Sequence, residues 1–189
     1  SHIDPATLTD VECDRLMHDG SGAGVIFGAT GGVMEAALRS AYYLVTGKNP
    51  EPDAFSNVRA TEFGQDAISA EIQIGDTVVK AAVVSGLGNT RKLIDALERG
   101  EVHYDFVEVM ACPGGCSGGG GQPIHDGEEL AFTRGQNLYF LDRNNELRFS
   151  HENQDVLQLY ADFMEKPLSH KAHMLLHTDH NAWDLPKAK

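Results

Sequence analysis

The sequence predicts an α/β fold: a small, mostly parallel or mixed sheet flanked by helices, followed by a helical C-terminal tail. Over the first two-thirds of the chain, apolar runs of strand length alternate with segments of helical periodicity. Glycines stand at most junctions between these segments; the chain has 20 among 189 residues. Beyond Pro123 only the helical pattern persists.

The elements follow in order. Residues 1–20 are polar and irregular, with a short helix near Thr9 to Met17. Gly24 to Thr30 reads as a short buried strand, because its apolar residues run without alternation. Gly31-Gly32 breaks it. Val33 to Thr46 reads as a helix, with Met34, Ala37, Leu38, Ala41 and Val45 on one face and Gly47 as its stop. A loop with Pro50 and Pro52 follows. Ala67 to Ile74 and Thr77 to Ser85 read as a hairpin around Gly75-Asp76, the second strand being the more buried. Asn89 to Glu98 is a helix with Asn89 as N-cap and Gly100 as stop. Tyr104 to Met110 is a strand that runs straight into a cysteine- and glycine-rich loop ending at Pro123. Asp126 to Asn144 is a helix weakened near Gly135, and Gln154 to Met164 and Ser169 to Leu176 are two more. The expected division is an α/β lobe over 1–123 and a helical region over 124–189.

Composition narrows the function classes. A formal net charge of -13 argues against a nucleic-acid backbone or an anionic membrane surface as partner. No apolar run reaches membrane-spanning length. The three cysteines, Cys13, Cys112 and Cys116, are a poor disulfide framework. Cys13 reads as a small apolar filler. Lys80, Arg91 and Lys92 read as single surface charges.

The loop Glu108-Val109-Met110-Ala111-Cys112-Pro113-Gly114-Gly115-Cys116-Ser117-Gly118-Gly119-Gly120-Gly121-Gln122-Pro123 carries the strongest chemical signal. Thiolates are soft ligands suited to iron–sulfur clusters, and glycines between them let backbone N–H groups approach cluster sulfurs. Spacing alone leaves three readings open: iron–sulfur ligation, two structural thiols, or half of a zinc site. The second feature is Phe27-Gly28-Ala29-Thr30-Gly31-Gly32-Val33-Met34-Glu35-Ala36-Ala37-Leu38-Arg39. Its glycine spacing fits neither a dinucleotide fingerprint nor a P-loop. The third is the tail, Ser150-His151-Glu152-Asn153 and then Pro167 to Thr178. His170, His173 and His177 share a helical face there. A polar face or docking surface is the favoured reading over a metal site.

Taken as whole strings, these segments resemble iron-only ([FeFe]) hydrogenases from about Asp10 onward. The loop is similar to that family's third cysteine signature, with Met110 and Gln122-Pro123 matching. The tail resembles the region that some members carry as a separate small subunit. The resemblance implies one lobe of a two-lobed catalytic domain that closes around the H-cluster, a four-iron four-sulfur cubane bridged to a two-iron subcluster. It implies that Cys112 ligates the cubane and that Cys116 ligates it and bridges to the two-iron site. Met110 and Phe27 would wall that site, with Gly28 lining the pocket. The turn at Gly31 and Gly32, with the helix N-terminus behind it, would favour negative charge such as cyanide-ligated iron.

The family's two other cysteine motifs, of Thr-Ser-Cys-Cys-Pro and Met-Pro-Cys type, do not occur here. The chain alone is therefore expected to hold no stable cluster, and to need the N-terminal part of the same catalytic domain. Ferredoxin or another electron carrier is the expected redox partner, and the cytoplasm the expected compartment, with the periplasm left open. The chain begins at Ser1-His2-Ile3 without Met, which favours an excised fragment over a naturally split enzyme. The cysteine loop is expected to be mobile without metal. The alternative is a non-catalytic, hydrogenase-like iron–sulfur binding or sensory protein. Assembly proteins of the nuclear prelamin-recognition type share a similar cysteine loop, and are not expected to carry the Phe27 to Glu35 run.

Overall fold

The computed structural model describes residues 4–13, 17, 19–51, 53–179 and 182. The chain divides into two compact units. One spans Gly20–Asn153; the other joins the N-terminal residues through Asp19 to the segment from Gln154 onward.

The larger unit is built on a three-stranded mixed sheet in the order β1 (Ile68–Ile74), β2 (Thr77–Ser85), β3 (Phe106–Met110). β1 and β2 form the expected antiparallel hairpin, from Ile74 opposite Thr77 to Ile68 opposite Val83. β3 runs parallel to β2, from Phe106 opposite Ala81 to Met110 opposite Ser85. The nearly continuous apolar run of β2 has a simple cause. Ala81 to Ser85 are all buried, as expected of a central strand covered on both faces. Ala81 and Val83 join Ile72, Ile74, Phe55 and Val58 in one core cluster, against Met34 and Leu38. α3 (Leu87–Glu98) packs on the same strand.

α2 (Gly32–Thr46) ends where expected, with Gly47 left-handed at φ 71° and its N–H returned to the Tyr43 carbonyl. Its buried positions are not the expected apolar stripe. Met34 and Leu38 face the sheet core, but Glu35, Ala36 and Arg39 are also buried, and Val45 is exposed. A second side of α2 therefore packs inside the protein, through charged side chains.

Several boundaries need correction. Gly24 to Thr30 is not a strand. Ser21 accepts the Gly24 N–H at 3.1 Å and caps a short α1 (Gly22–Val25), and Ile26–Gly28 continues as a 3₁₀ turn. A short apolar run without alternation fits a buried helical turn as well as a buried strand. Here the run packs against helices, Ala23, Ile26 and Ala29 clustering with Ala36 and Tyr139. α3 starts at Leu87 with Gly86 as its N-cap position; the Asn89 amide instead donates to the Ser85 carbonyl at 3.2 Å. α4 (Ala131–Arg143) begins five residues later than expected, and Gly135 does not weaken it. Gly135 is buried where α4 passes Ala29. Cys13 is exposed, so it fills no core. Of the helix expected near Thr9 to Met17, residues 9–13 are not helical and 14–16 lie outside the described residues.

In the smaller unit, α5 (Gln154–Leu159) passes into a π turn at Tyr160–Met164. Ser169 caps α6 (His170–Leu176), accepting the Ala172 N–H at 3.0 Å while its hydroxyl donates to the Met164 carbonyl at 2.7 Å.

The entry to α2 is closely packed. Gly31 sits at φ 88°, and a Cβ there would overlap the Val58 carbonyl; one on Gly32 would overlap the Ile26 carbonyl. Neither neighbour is a flexible side-chain end. Gly32→Ala is thus expected to lower stability by about 1–3 kcal/mol. Gly88→Ala, in α3 with open space around it, is expected to raise it by about 0.5–1 kcal/mol. Urea denaturation midpoints of the two variants read the contrast directly.

Candidate functional site

The cysteine loop leaves the sheet at Met110, whose carbonyl accepts the Gly86 N–H at 2.8 Å. It then folds through successive tight turns. Gly115 N–H donates to Cys112 O, Gly118 N–H to Gly115 O and Gly119 N–H to Cys116 O, each at 3.0 Å. Side chains from three elements tie this backbone down. Ser85, at the end of β2, accepts the Gly114 N–H at 3.3 Å. Ser117, itself buried, donates to the carbonyls of Gly28 at 3.1 Å and Gly114 at 3.0 Å. Arg134 of α4 donates to Ser117 O at 3.3 Å and Pro123 O at 2.6 Å. Gln122 adds a bond to Cys116 O at 3.2 Å. Glycine-rich as it is, the loop has its own hydrogen-bond frame.

Within that frame Cys112 and Cys116 are both free and exposed. The backbone is fixed and the thiols are left available, an arrangement that suits ligation rather than a structural thiol. The chemistry of this donor set fits an iron–sulfur cluster in part: two soft thiolates where a cubane takes four. Among the described residues, no group of three or more His, Cys, Asp or Glu side chains gathers as a metal site.

The structure brings Gly28 to the loop through Ser117, and Phe27 stands beside it with 47% of its surface exposed. Met110 is half-buried at the head of the loop. Gly31 and Gly32 are placed differently: both are buried, packed against protein backbone. The anion at the N-terminus of α2 is a protein group. Glu108 of β3 accepts the Gly31 N–H on Oε1 at 2.7 Å and the Met34 N–H on Oε2 at 2.6 Å. Burial pushes this carboxyl above its usual range, while the amides of Gly31, Met34 and Val33 pull against that rise. The expected preference of this helix end for negative charge is met internally. Glu108 was missed as a functional residue, although a lone acid among apolar neighbours in Phe106-Val107-Glu108-Val109-Met110 is a visible signal.

Behind the loop lies a buried ionic network, also missed. Arg39 donates to both Asp142 oxygens at 2.8 Å and to Glu35 at 2.7 Å. Arg59 donates to both Glu35 oxygens at 2.6 and 2.7 Å and to Asp53 at 2.6 Å. The Arg59 guanidinium lies 4.4 Å from the Tyr139 ring centroid, and the Tyr139 hydroxyl donates to the Thr30 carbonyl at 3.3 Å. Burial raises the Tyr139 phenol, which keeps it a donor. A chain of contacts thus runs from the network to the Gly28–Thr30 segment under the cysteine loop.

His151 is held between Ser40 at 3.1 Å and Asn49 at 2.8 Å and stacks on Tyr43; burial lowers its pKa and favours the neutral ring. In the smaller unit, His173 and His177 stack on each other with centroids 4.5 Å apart, both exposed. Lys80 and Lys92 are exposed, pairing with Glu71 and Asp66.

Comparison with known proteins gives two family matches. The iron only hydrogenase large subunit, C-terminal domain, matches residues 1–120, and the iron hydrogenase small subunit matches residues 128–183. The chain is 47% identical to NADP-reducing hydrogenase subunit HndD of Solidesulfovibrio fructosivorans, over 94% of this chain and 30% of that protein. It is also 31% identical to cytosolic Fe-S cluster assembly factor narfl of Xenopus tropicalis, over 96% of this chain and 37% of that protein. The structure of an [FeFe]-hydrogenase HydA1 variant from Chlamydomonas reinhardtii superposes with a TM-score of 0.65 at 39% identity, covering 93% of this chain and 50% of that one. The chain spans about a third of the length of these curated relatives and about half of the solved chain.

Proposed function

Because the chain belongs to the iron-only hydrogenase family, we propose that it is the C-terminal part of a hydrogenase catalytic domain, contributing half of the thiolate set of an H-cluster. Bound there, that group supplies the interconversion of protons and electrons with dihydrogen. The observation that carries this reading is the cysteine loop: two free, exposed thiols on a backbone locked by Ser85, Ser117 and Arg134. Cys112 and Cys116 would hold the cluster, Cys116 on the side of its two-iron part. Phe27, beside Gly28, and Met110, at the loop head, wall the site and exclude water. Gly31 and Gly32 act through packing, by letting α2 start hard against Ile26 and Val58.

The remaining two cubane thiolates come from the N-terminal part of the same catalytic domain. This is supported by relatives in which the region is one portion of a longer protein. An electron carrier such as ferredoxin completes the reaction.

Anaerobic reconstitution of this chain alone, followed by iron and sulfide counts and electron paramagnetic resonance, tests the half-site. Little bound iron is expected. A stable four-iron cluster on each chain would mean that other side chains complete the ligand set.

The second reading, a non-catalytic iron–sulfur protein, is favoured by the similarity to the assembly factor of Xenopus tropicalis. Infrared spectra of the complete protein separate the two. Carbon monoxide and cyanide bands are expected for the hydrogenase, and a cubane without those bands points to the assembly-type protein.

A further inference from the structure

We propose that Glu108 is a positioning residue for the iron–sulfur site: it caps α2 from β3, sets the cysteine loop against Phe27-Gly28, and holds a buried negative charge that lowers the reduction potential of the cluster. The proposal rests on ligation by Cys112 and Cys116.

The first turn of a helix presents N–H groups with no partner inside the helix. A serine, threonine or aspartate at the N-cap position usually satisfies one of them. α2 has Gly31 there, which has no side chain to offer. Glu108 takes that role across 77 and 74 residues of chain, one oxygen to Gly31 and the other to Met34. The bond joins two segments that must meet for the site to exist. Glu108 lies two residues before Met110 and four before Cys112 on one continuous strand and loop. Gly31 lies directly after Phe27-Gly28-Ala29-Thr30. A strand is stiff along its length, so a clamp at 108 fixes where the loop starts relative to Phe27. Ser117, bonded to the Gly28 carbonyl, makes the second tie at the far side of the loop.

The charge argument is separate. Both Glu108 oxygens are filled by amide donors, which suits a carboxylate. The other deeply buried acids described here, Glu35 and Asp142, are neutralised by guanidinium groups. Glu108 is met instead by the backbone amides of Gly31, Met34 and Val33, and a helix N-terminus supplies only about half a positive charge. A net negative charge therefore remains. Four residues of extended chain reach about 13 Å at most, so it sits within a short distance of the cluster ligands. Cluster potentials respond to nearby charge, and a fixed anion disfavours the added electron.

The test uses the complete catalytic domain loaded with the four-iron cluster alone. Two measurements are made: a redox titration followed by electron paramagnetic resonance, and the rate at which a chelator strips the iron. Glu108→Gln keeps the shape and removes the charge. With iron content unchanged, its potential is expected to move positive of wild type; an unmoved potential overturns the electrostatic role. Glu108→Asp keeps the charge and shortens the reach by one methylene, so it also serves where the glutamine variant fails to fold. Its cluster is expected to be stripped several-fold faster at nearly unchanged potential, and a wild-type stripping rate overturns the positioning role. A wild-type domain that binds no cluster overturns the ligand assignment of Cys112 and Cys116, and the role of Glu108 with it.

Discussion

Cys116→Ala is expected to reduce hydrogen turnover by the complete enzyme to background and to remove the carbon monoxide and cyanide infrared bands. The thermal midpoint should hardly move. The reasons lie in how the loop is built. The Cys116 thiol is exposed, so its loss opens no cavity. The backbone at Cys116 is held by groups that do not depend on its sulfur: its carbonyl accepts from Gly119 and Gln122. The neighbouring Ser117 hydroxyl anchors the loop to Gly28. The variant should therefore present an intact loop with one ligand missing. Cys112→Ala is expected to lose the cubane in the same manner. Cys13→Ala, at an exposed position outside the motif in sequence, should leave turnover and metal content at wild-type levels. Hydrogen evolution retained by Cys116→Ala would refute the assignment of that residue.

Local chemistry was legible in the sequence wherever neighbours along the chain decide the structure. The β1–β2 hairpin follows from alternation and the Gly75-Asp76 turn, and the end of α2 follows from Gly47. The mixed sheet follows from the order of strands and helices. The segment Gly24 to Thr30 was misread because a short apolar run without alternation carries no periodicity that separates a strand from a helical turn. The candidate thiols were legible as a string, but the frame that holds them was not. It comes from Ser85, Gly28 and Arg134, which lie 29, 89 and 17 residues from their loop partners. No local pattern encodes such pairings. Glu108 lies between these cases: its isolation among apolar residues flags an internal role, but its partner at the start of α2 emerges only in three dimensions. The same holds for Glu35 and Arg39, whose i,i+4 spacing suggests a surface pair, while both are almost wholly buried.

That burial makes Arg39→Met the substitution with the largest expected effect on stability. The Glu35, Arg39 and Asp142 side chains retain 0%, 3% and 1% of their exposure. Arg39 links α2 to α4, giving both Asp142 oxygens a donor and Glu35 a third contact. Methionine of similar length leaves the two carboxylates buried with only Arg59 and Arg148 to answer them. Breaking such a pair from one side costs about 3–5 kcal/mol, because the surviving charge keeps its desolvation penalty. That is a large part of the roughly 5–15 kcal/mol that stabilises a whole domain. Glu35→Gln is expected to be costly too, and the double variant to cost less than the sum of the two, since each removes part of what strands the other. Acid sensitivity adds an independent reading. The hydrogen bond from Arg59 holds Asp53 below the usual carboxylate range. Burial works against the charge of Asp142, but hydrogen bonds from Arg39 and Arg148 outweigh it and hold that carboxyl low as well. Depressed carboxylates stabilise the fold above their unfolded-state pKa, and that stability is lost as pH falls through the folded values. Removing Arg39 takes away the largest of the favourable contacts that hold Asp142 low. Its folded pKa then rises, and the acid-unfolding midpoint of Arg39→Met should move to higher pH than wild type. Circular dichroism across a pH series measures that shift; an unchanged midpoint would mean that Asp142 is held low by Arg148 alone.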